Sequence, residues 1–133
     1  MKKILIFEDE WSTIRGSFEL ANIYAFEEGL QFNVRSKSQD VKFSSWKDEY
    51  AAVFIDITLA KNTKMDGYHI VQKIMNERLI DASKIVILTG NSKVQEKLKE
   101  MGINTSSIHI MYKPISFDKL SEKLCEIIGK ESL

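Results

Sequence analysis

Four short apolar runs in this chain each end at a polar residue of a different kind. Ile4-Leu5-Ile6-Phe7 leads into Glu8-Asp9-Glu10, and Ala52-Val53-Phe54-Ile55 into Asp56. Ile85-Val86-Ile87-Leu88 leads into Thr89, and Ile108-His109-Ile110-Met111-Tyr112 into Lys113-Pro114. Unbroken, β-branched runs of this length read as strands buried on both faces, the pattern of a parallel sheet covered by helices. Such sheets bind ligands at the carboxyl ends of their strands. The four endings are therefore expected to converge, and carboxylates, a hydroxyl and an ammonium together suit a metal ion and a phosphate.

Between the runs the apolar spacing turns helical, giving the β-α alternation of a wound α/β domain. Ile14, Phe18, Ala21 and Ala25 share one face of a helix predicted from Trp11 to Glu28, with Gly29 closing it as a C′ glycine. Gln31 to Ser36 alternates Phe32 and Val34 with polar neighbours, a more exposed strand near a sheet edge. Three further amphipathic helices are predicted over Gly67–Arg78, Asn91–Met101 and Ser116–Ile128. In Gln39–Tyr50 the spacing of Val41, Phe43, Trp46 and Tyr50 fits no single period, and a short or irregular helix is expected. Right-handed crossovers with helices on both faces lead to an open doubly wound sheet of about five parallel strands. A barrel of eight units needs about 250 residues, and the chain has 133.

That length suits one domain, expected over residues 1–129, followed by a short polar tail, 130–133. Nineteen basic residues offset nineteen acidic ones, so the overall charge calls for neither a nucleic acid nor an anionic membrane as partner. The amino terminus meets charge at Glu8, too early for a signal peptide or a membrane span, and a cytoplasmic location is the expectation. Cys125 is the only cysteine. It excludes an intrachain disulfide and reads as a packed structural thiol.

Three carboxylates, Glu8, Asp9 and Asp56, are expected in one crevice. At about 4 Å and an effective dielectric near 20, each like-charge pair costs roughly 4 kcal/mol, so a cation must balance them. Mg²⁺ suits such an all-oxygen site, because it binds one or two carboxylates and leaves positions for phosphate oxygens. Read more plainly, Glu8, Asp9 and Glu10 are a solvated helix start, where acids are favourable anyway. Asp56 is either a loop cap or a nucleophile toward a phosphoryl group. Thr89 offers a hydroxyl beside Gly90, and Lys113 offers a point cation that pairs with phosphate in one state and with Asp56 in the other. Pro114 holds Lys113 in an extended or cis turn. His69 and His109 are read as structural.

Taken together, these pieces resemble the receiver domain of two-component response regulators over nearly the whole chain. The resemblance implies the flavodoxin-like α/β fold. It also implies a phosphoacceptor role for Asp56, with Glu8, Asp9, Asp56 and the backbone carbonyl of Thr58 holding Mg²⁺. Thr89 would hydrogen-bond the phosphoryl group and Lys113 would pair with it. The donor would be a histidine kinase, a phosphotransfer protein or a small acyl phosphate. Hydrolysis would reset the site, and output would pass to a separate downstream protein, with oligomeric state open. Such a chain is a phosphoacceptor rather than an enzyme with a separate substrate.

Three features depart from the family pattern. The loop of residues 57–66 is longer than usual and has Ala60 where a proline is common. The stretch 103–107 is lengthened. Ile110 stands where an aromatic often precedes the lysine by three residues. An alternative follows from these departures: a receiver-like module that binds partners without phosphate. A third reading, a Mg²⁺-dependent phosphatase with an aspartyl nucleophile, is disfavoured because Asp56-Ile57-Thr58 has no second acid two residues on.

Overall fold

The computed structural model of the protein describes residues 1–43, 46, 49–59 and 63–129. Five strands and four helices alternate through it: β1 (Lys2–Phe7), α1 (Trp11–Phe26), β2 (Leu30–Arg35), β3 (Ala52–Asp56), α2 (Gly67–Asn76), β4 (Ile85–Thr89), α3 (Val94–Glu100), β5 (His109–Tyr112) and α4 (Phe117–Ile128). The strands form one sheet in the order β2-β1-β3-β4-β5. Every pairing is parallel. This is the flavodoxin-like order, whose topological switch lies between β1 and β3.

Strand parity explains how so short a chain fills two cores. Successive side chains point to opposite faces, so Ile4 and Ile6 of β1 join Phe54, Val86 and Leu88 under α1 and α4. Leu5 and Phe7 join Val53, Ile55, Ile85 and Ile87 under α2 and α3. All of these residues are fully buried, which is why the runs show no polar alternation. Cys125 is a free thiol packed at the edge of the first core. Phe18 anchors that core, meeting Phe54 edge-on at 5.1 Å and Phe32 at 5.5 Å.

Helix boundaries differ from the periodic reading for local reasons. Helix α1 stops at Phe26, and the left-handed turn falls on Glu27 and Glu28 (φ 49° and 61°) rather than on Gly29. Gly29 is required for a different reason: a Cβ there would lie 2.9 Å from the Phe26 carbonyl oxygen, to which the Gly29 N–H donates at 2.7 Å. Helix α2 ends in a Schellman closure, with Arg78 N–H bonding Met75 O and Leu79 N–H bonding Ile74 O. Arg78 takes the left-handed position (φ 51°) that glycine normally fills. Helix α3 begins three residues later than expected because Asn91 caps the turn before it, accepting the Lys93 N–H at 2.9 Å. The lengthened stretch before β5 contains a 3₁₀ turn, Thr105–Ser107, in which Asn104 Oδ1 accepts the Ser106 N–H.

The unresolved periodicity of Gln39–Tyr50 has a physical cause. Ser38–Asp40 forms a 3₁₀ turn, after which Phe43, Trp46 and Tyr50 pack in sequence, with ring centroids 5.2 and 5.5 Å apart. Phe43 also stacks on Phe7 at 6.2 Å. Aromatic surface thus covers part of the sheet in the segment where a short or irregular helix was expected; residues 44, 45, 47 and 48 of that segment lie outside the described residues. So do Ala60 and the tail 130–133. Among the described residues, no helix is long and apolar enough to cross a membrane.

Phe18→Ala is expected to cost about 3–5 kcal/mol in urea unfolding. Leu20→Ala, at a side chain 39% exposed, is expected to change stability by less than about 0.5 kcal/mol. Equal costs would contradict the placement of this core.

Candidate functional site

The carboxyl ends of β1, β3, β4 and β5 meet above the topological switch. Glu8 leaves β1 with its N–H bonded to Arg35 O of the neighbouring strand. Its carboxylate is drawn under the surface, 1% exposed. Asp9, one residue further, is exposed. Asp56 is the last residue of β3 and 3% exposed. Glu8, Asp9 and Asp56 each offer an oxygen, and these oxygens all lie within 4.8 Å of one another.

Lys113 supplies the nearest positive charge. The Lys113 N–H bonds to Thr89 O at 2.8 Å, and the Lys113-Pro114 peptide is cis. The ammonium donates to Glu8 Oε1 at 2.7 Å and reaches Asp56 Oδ2 only at 3.5 Å. The expected pairing with Asp56 is thus the longer of two contacts. Glu8 is the more enclosed carboxylate, and Asp56 Oδ1 is already served by the Thr58 N–H at 3.1 Å and the Thr58 hydroxyl at 3.3 Å. Thr58 therefore sits against Asp56 and orients its carboxylate. Thr89 is 1% exposed, and its Oγ1 accepts the Asn91 N–H at 2.9 Å. The hydroxyl hydrogen is left to donate elsewhere.

Burial, more than any other cause, pushes the Glu8 carboxyl above its ordinary range, and a hydrogen bond with Asp56 adds to this while Lys113 opposes it. For Lys113, burial acts downward, but the bond to Glu8 and the charges of both acids outweigh it and hold the ammonium above its ordinary value. Among the described residues, the two enclosed carboxylates share the Lys113 ammonium. An all-oxygen cluster of this kind fits a hard divalent cation. Mg²⁺ would be held by Glu8, Asp9 and Asp56.

Two contributors escaped the sequence reading. Gly67 opens α2, where its Cβ would lie 2.4 Å from Asp56 O and 2.5 Å from Ile57 Cα. Only glycine lets the helix approach the backbone of the central acid this closely. A poor helix former directly after the N-cap Asp66 was the available signal. The second contributor is a hydrogen-bond cluster joining the loops after β2 and β3. Thr63 Oγ1 accepts the Ser38 N–H at 2.8 Å, Ser38 Oγ accepts the Met65 N–H at 2.9 Å, and Gln39 Oε1 accepts the Lys64 N–H at 3.0 Å. Thr63, Lys64 and Met65 of the lengthened loop are thereby tied to the loop after β2. Isolated hydroxyls 25 residues apart carry no sequence signal.

The remaining candidates lie elsewhere. His69 Nδ1 contacts Asp66 Oδ1 at 2.7 Å at the start of α2. His109 bridges Ser83 O and Lys123 Nζ at 3.0 and 3.2 Å. Ile110 packs against the core under α2 and α3. Tyr112 is 46% exposed.

No family model matches the chain. It is 28% identical over 123 residues to the transcriptional regulatory protein HprR of Escherichia coli K12, covering 89% of this chain and 48% of that protein. The chain thus spans about half the length of this curated relative. Solved structures that it resembles are response regulator receiver domains. One, a CheY-like receiver from Methanospirillum hungatei, matches with a TM-score of 0.70 at 18% identity over 99% of this chain and 98% of its own. Another is the receiver domain of a sensor histidine kinase from Pseudomonas aeruginosa, with magnesium coordinated in its active site cleft. It matches with a TM-score of 0.68 at 22% identity over 96% of this chain and 98% of its own. The fold is that of a receiver domain, as the sequence motifs implied.

Gly67→Ala is expected to cost about 2–4 kcal/mol, because the clash is with backbone that cannot turn aside; a neutral result in urea unfolding would refute the close approach. A carboxyl raised on folding contributes its stability below its unfolded pKa and loses it as pH rises through the raised value. Glu8→Gln should therefore gain stability relative to the unsubstituted chain as pH rises above the ordinary carboxyl range. Parallel pH profiles without metal would contradict the shift of Glu8.

Proposed function

We propose that the chain is a phosphoacceptor receiver of a two-component system, taking a phosphoryl group on Asp56 with the help of Mg²⁺ and switching a protein–protein contact. The observation that carries this reading is the convergence of Asp56, Thr89 and Lys113 around the Glu8–Asp9 pair. Each residue then has a task set by its position. The Thr58 contacts occupy Oδ1, leaving Oδ2 as the nucleophile. A lone pair of Oδ2 attacks phosphorus in line, an O–P bond forms, and the bond to the donor's imidazole nitrogen or acyl oxygen breaks, its electrons leaving with that group. Bound Mg²⁺ supplies charge neutralisation for the phosphoryl oxygens. The Thr89 hydroxyl donates to one oxygen. Lys113 transfers part of its pairing from Glu8 to another.

The proposed donor is a histidine kinase or a phosphotransfer protein, with a small acyl phosphate as substitute, and the proposed location is the cytoplasm. Output passes to a separate protein. Hydrolysis of the acyl phosphate resets the chain, which acts as a phosphoacceptor rather than turning over a substrate. The Thr58 carbonyl is assigned to the metal shell on the strength of the family resemblance.

A second reading, a module that binds partners without phosphate, is favoured by one observation: the ammonium of Lys113 is already committed to Glu8 at 2.7 Å. The two readings part on a single experiment. With Mg²⁺ and acetyl phosphate, intact-mass measurement is expected to show the gain of one labile phosphoryl group, absent in Asp56→Asn. Lys113→Met is expected to slow its appearance by roughly 10²-fold. No gain from acetyl phosphate or from a panel of kinases would favour the phosphate-independent module.

A further inference from the structure

We propose a second binding site, for a small organic anion with a planar apolar body, at the amino-terminal end of the sheet. It lies opposite the acid cluster and is independent of the phosphoacceptor reading. A hollow of about 490 Å³ opens there between the end of α2 and the start of β4, within the range of small-molecule pockets. Neither this hollow nor one of about 530 Å³ beside β5 and α4 is lined by Glu8, Asp9 or Asp56.

Trp46, Met75, Leu79 and Ile80 give the hollow apolar walls, and Arg78 and Lys84 line it as cations. The Schellman closure of α2 explains the arrangement. Arg78 turns left-handed at the helix end, and Leu79 and Ile80 then run along the hollow instead of continuing the helix. Among the described residues, neither Arg78 nor Lys84 is in an ion pair. Asp81 also lines the hollow, leaving a net positive charge there. An adjoining hollow shares Tyr50 and Lys84 and adds Lys2 and Lys3, where Lys3 pairs with Glu49. The chain as a whole has no net charge, so this end of the sheet is locally cationic.

The Trp46 ring supplies an independent observation. Trp46 is 3% exposed, and its indole Nε1–H is buried with no acceptor among the described residues. Buried donors are nearly always satisfied, and an exception calls for an explanation. A ligand oxygen that displaces the side chains covering the indole N–H would provide the missing acceptor. The apolar walls of Met75, Leu79 and Ile80 suit an aromatic body, and Arg78 with its planar fork suits a carboxylate. Burial, and next the charge of Glu49, hold the Tyr50 hydroxyl protonated beyond its ordinary range, so it adds no negative charge that would repel an anion.

The probe is 2-naphthoate, titrated into the isotopically labelled full chain and followed by proton–nitrogen correlation spectra. Saturable shifts are expected at the Trp46 indole N–H and at the backbone of Leu79 and Ile80, leaving Asp56 and Thr89 unmoved. The double variant Arg78→Gln, Lys84→Gln should bind at least about tenfold more weakly. 2-Naphthalenemethanol, with the same rings and no charge, should bind the unsubstituted chain at least about tenfold more weakly than the acid. Both substitutions leave the apolar walls in place, and spectral dispersion reports whether the variant folds. An unmoved Trp46 indole signal, equal binding of acid and alcohol, or unchanged affinity in a folded variant would each overturn the site.

Discussion

The architecture at the carboxyl end of the sheet depends on one ion pair, Lys113 with Glu8, 105 residues apart in sequence. Glu8 is enclosed because Phe7 and its neighbours are core on both faces of the sheet, and the chain turns into α1 only three residues later. An enclosed carboxylate without a counter-charge would oppose folding of the strands that enclose it. Lys113 removes that conflict, and through its backbone bond to Thr89 it also sets how β5 meets β4. The same contact that makes the apo fold tolerable places an ammonium at the edge of the acid cluster. Structure and candidate chemistry here draw on one electrostatic arrangement.

The two ends of the sheet contrast physically. At the carboxyl end, carboxylates and a hydroxyl converge in a crevice where, among the described residues, Lys113 is the one enclosed cation. At the amino-terminal end, lysines, an arginine and an indole surround a roomier apolar hollow. A parallel sheet separates the two by the length of its strands, so a neutral chain carries opposite local fields at opposite ends. Those fields suit different ligands without interfering strongly, since the five residues of β3 span about 16 Å, more than a Debye length of about 8–10 Å.

Much of this was legible because the informative residues end strands. Asp56 and Thr89 are read from the sequence alone once the runs before them are recognised as doubly buried, and their place in the crevice follows from the rule for parallel sheets. Strand parity was legible for the same reason. What was not legible depends on contacts between segments with no shared period. The preference of Lys113 for Glu8 over Asp56 follows from how the Asp56 oxygens are shared with Thr58. Gly67 looks like an ordinary helix start until Asp56 O is seen 2.4 Å from its missing Cβ. At Gly29 the expected left-handed turn is displaced onto two glutamates, because the chain must descend at once into β2. The aromatic packing of Phe43, Trp46 and Tyr50 hides from a periodicity search because rings reach neighbours that backbone period does not predict.

The cluster of Ser38, Gln39, Thr63 and Met65 bears on how another protein would meet this site. A loop of this length left free would be ordered only on contact, and the partner's binding would carry that entropic cost. Here backbone N–H groups on each side are bonded to side chains on the other, so the part of the rim built by Ser38, Gln39 and residues 63–65 exists before anything arrives. Selection among partners then acts through the fit to a standing shape. A single hydroxyl lost at position 38 or 63 would alter that selection without touching a carboxylate.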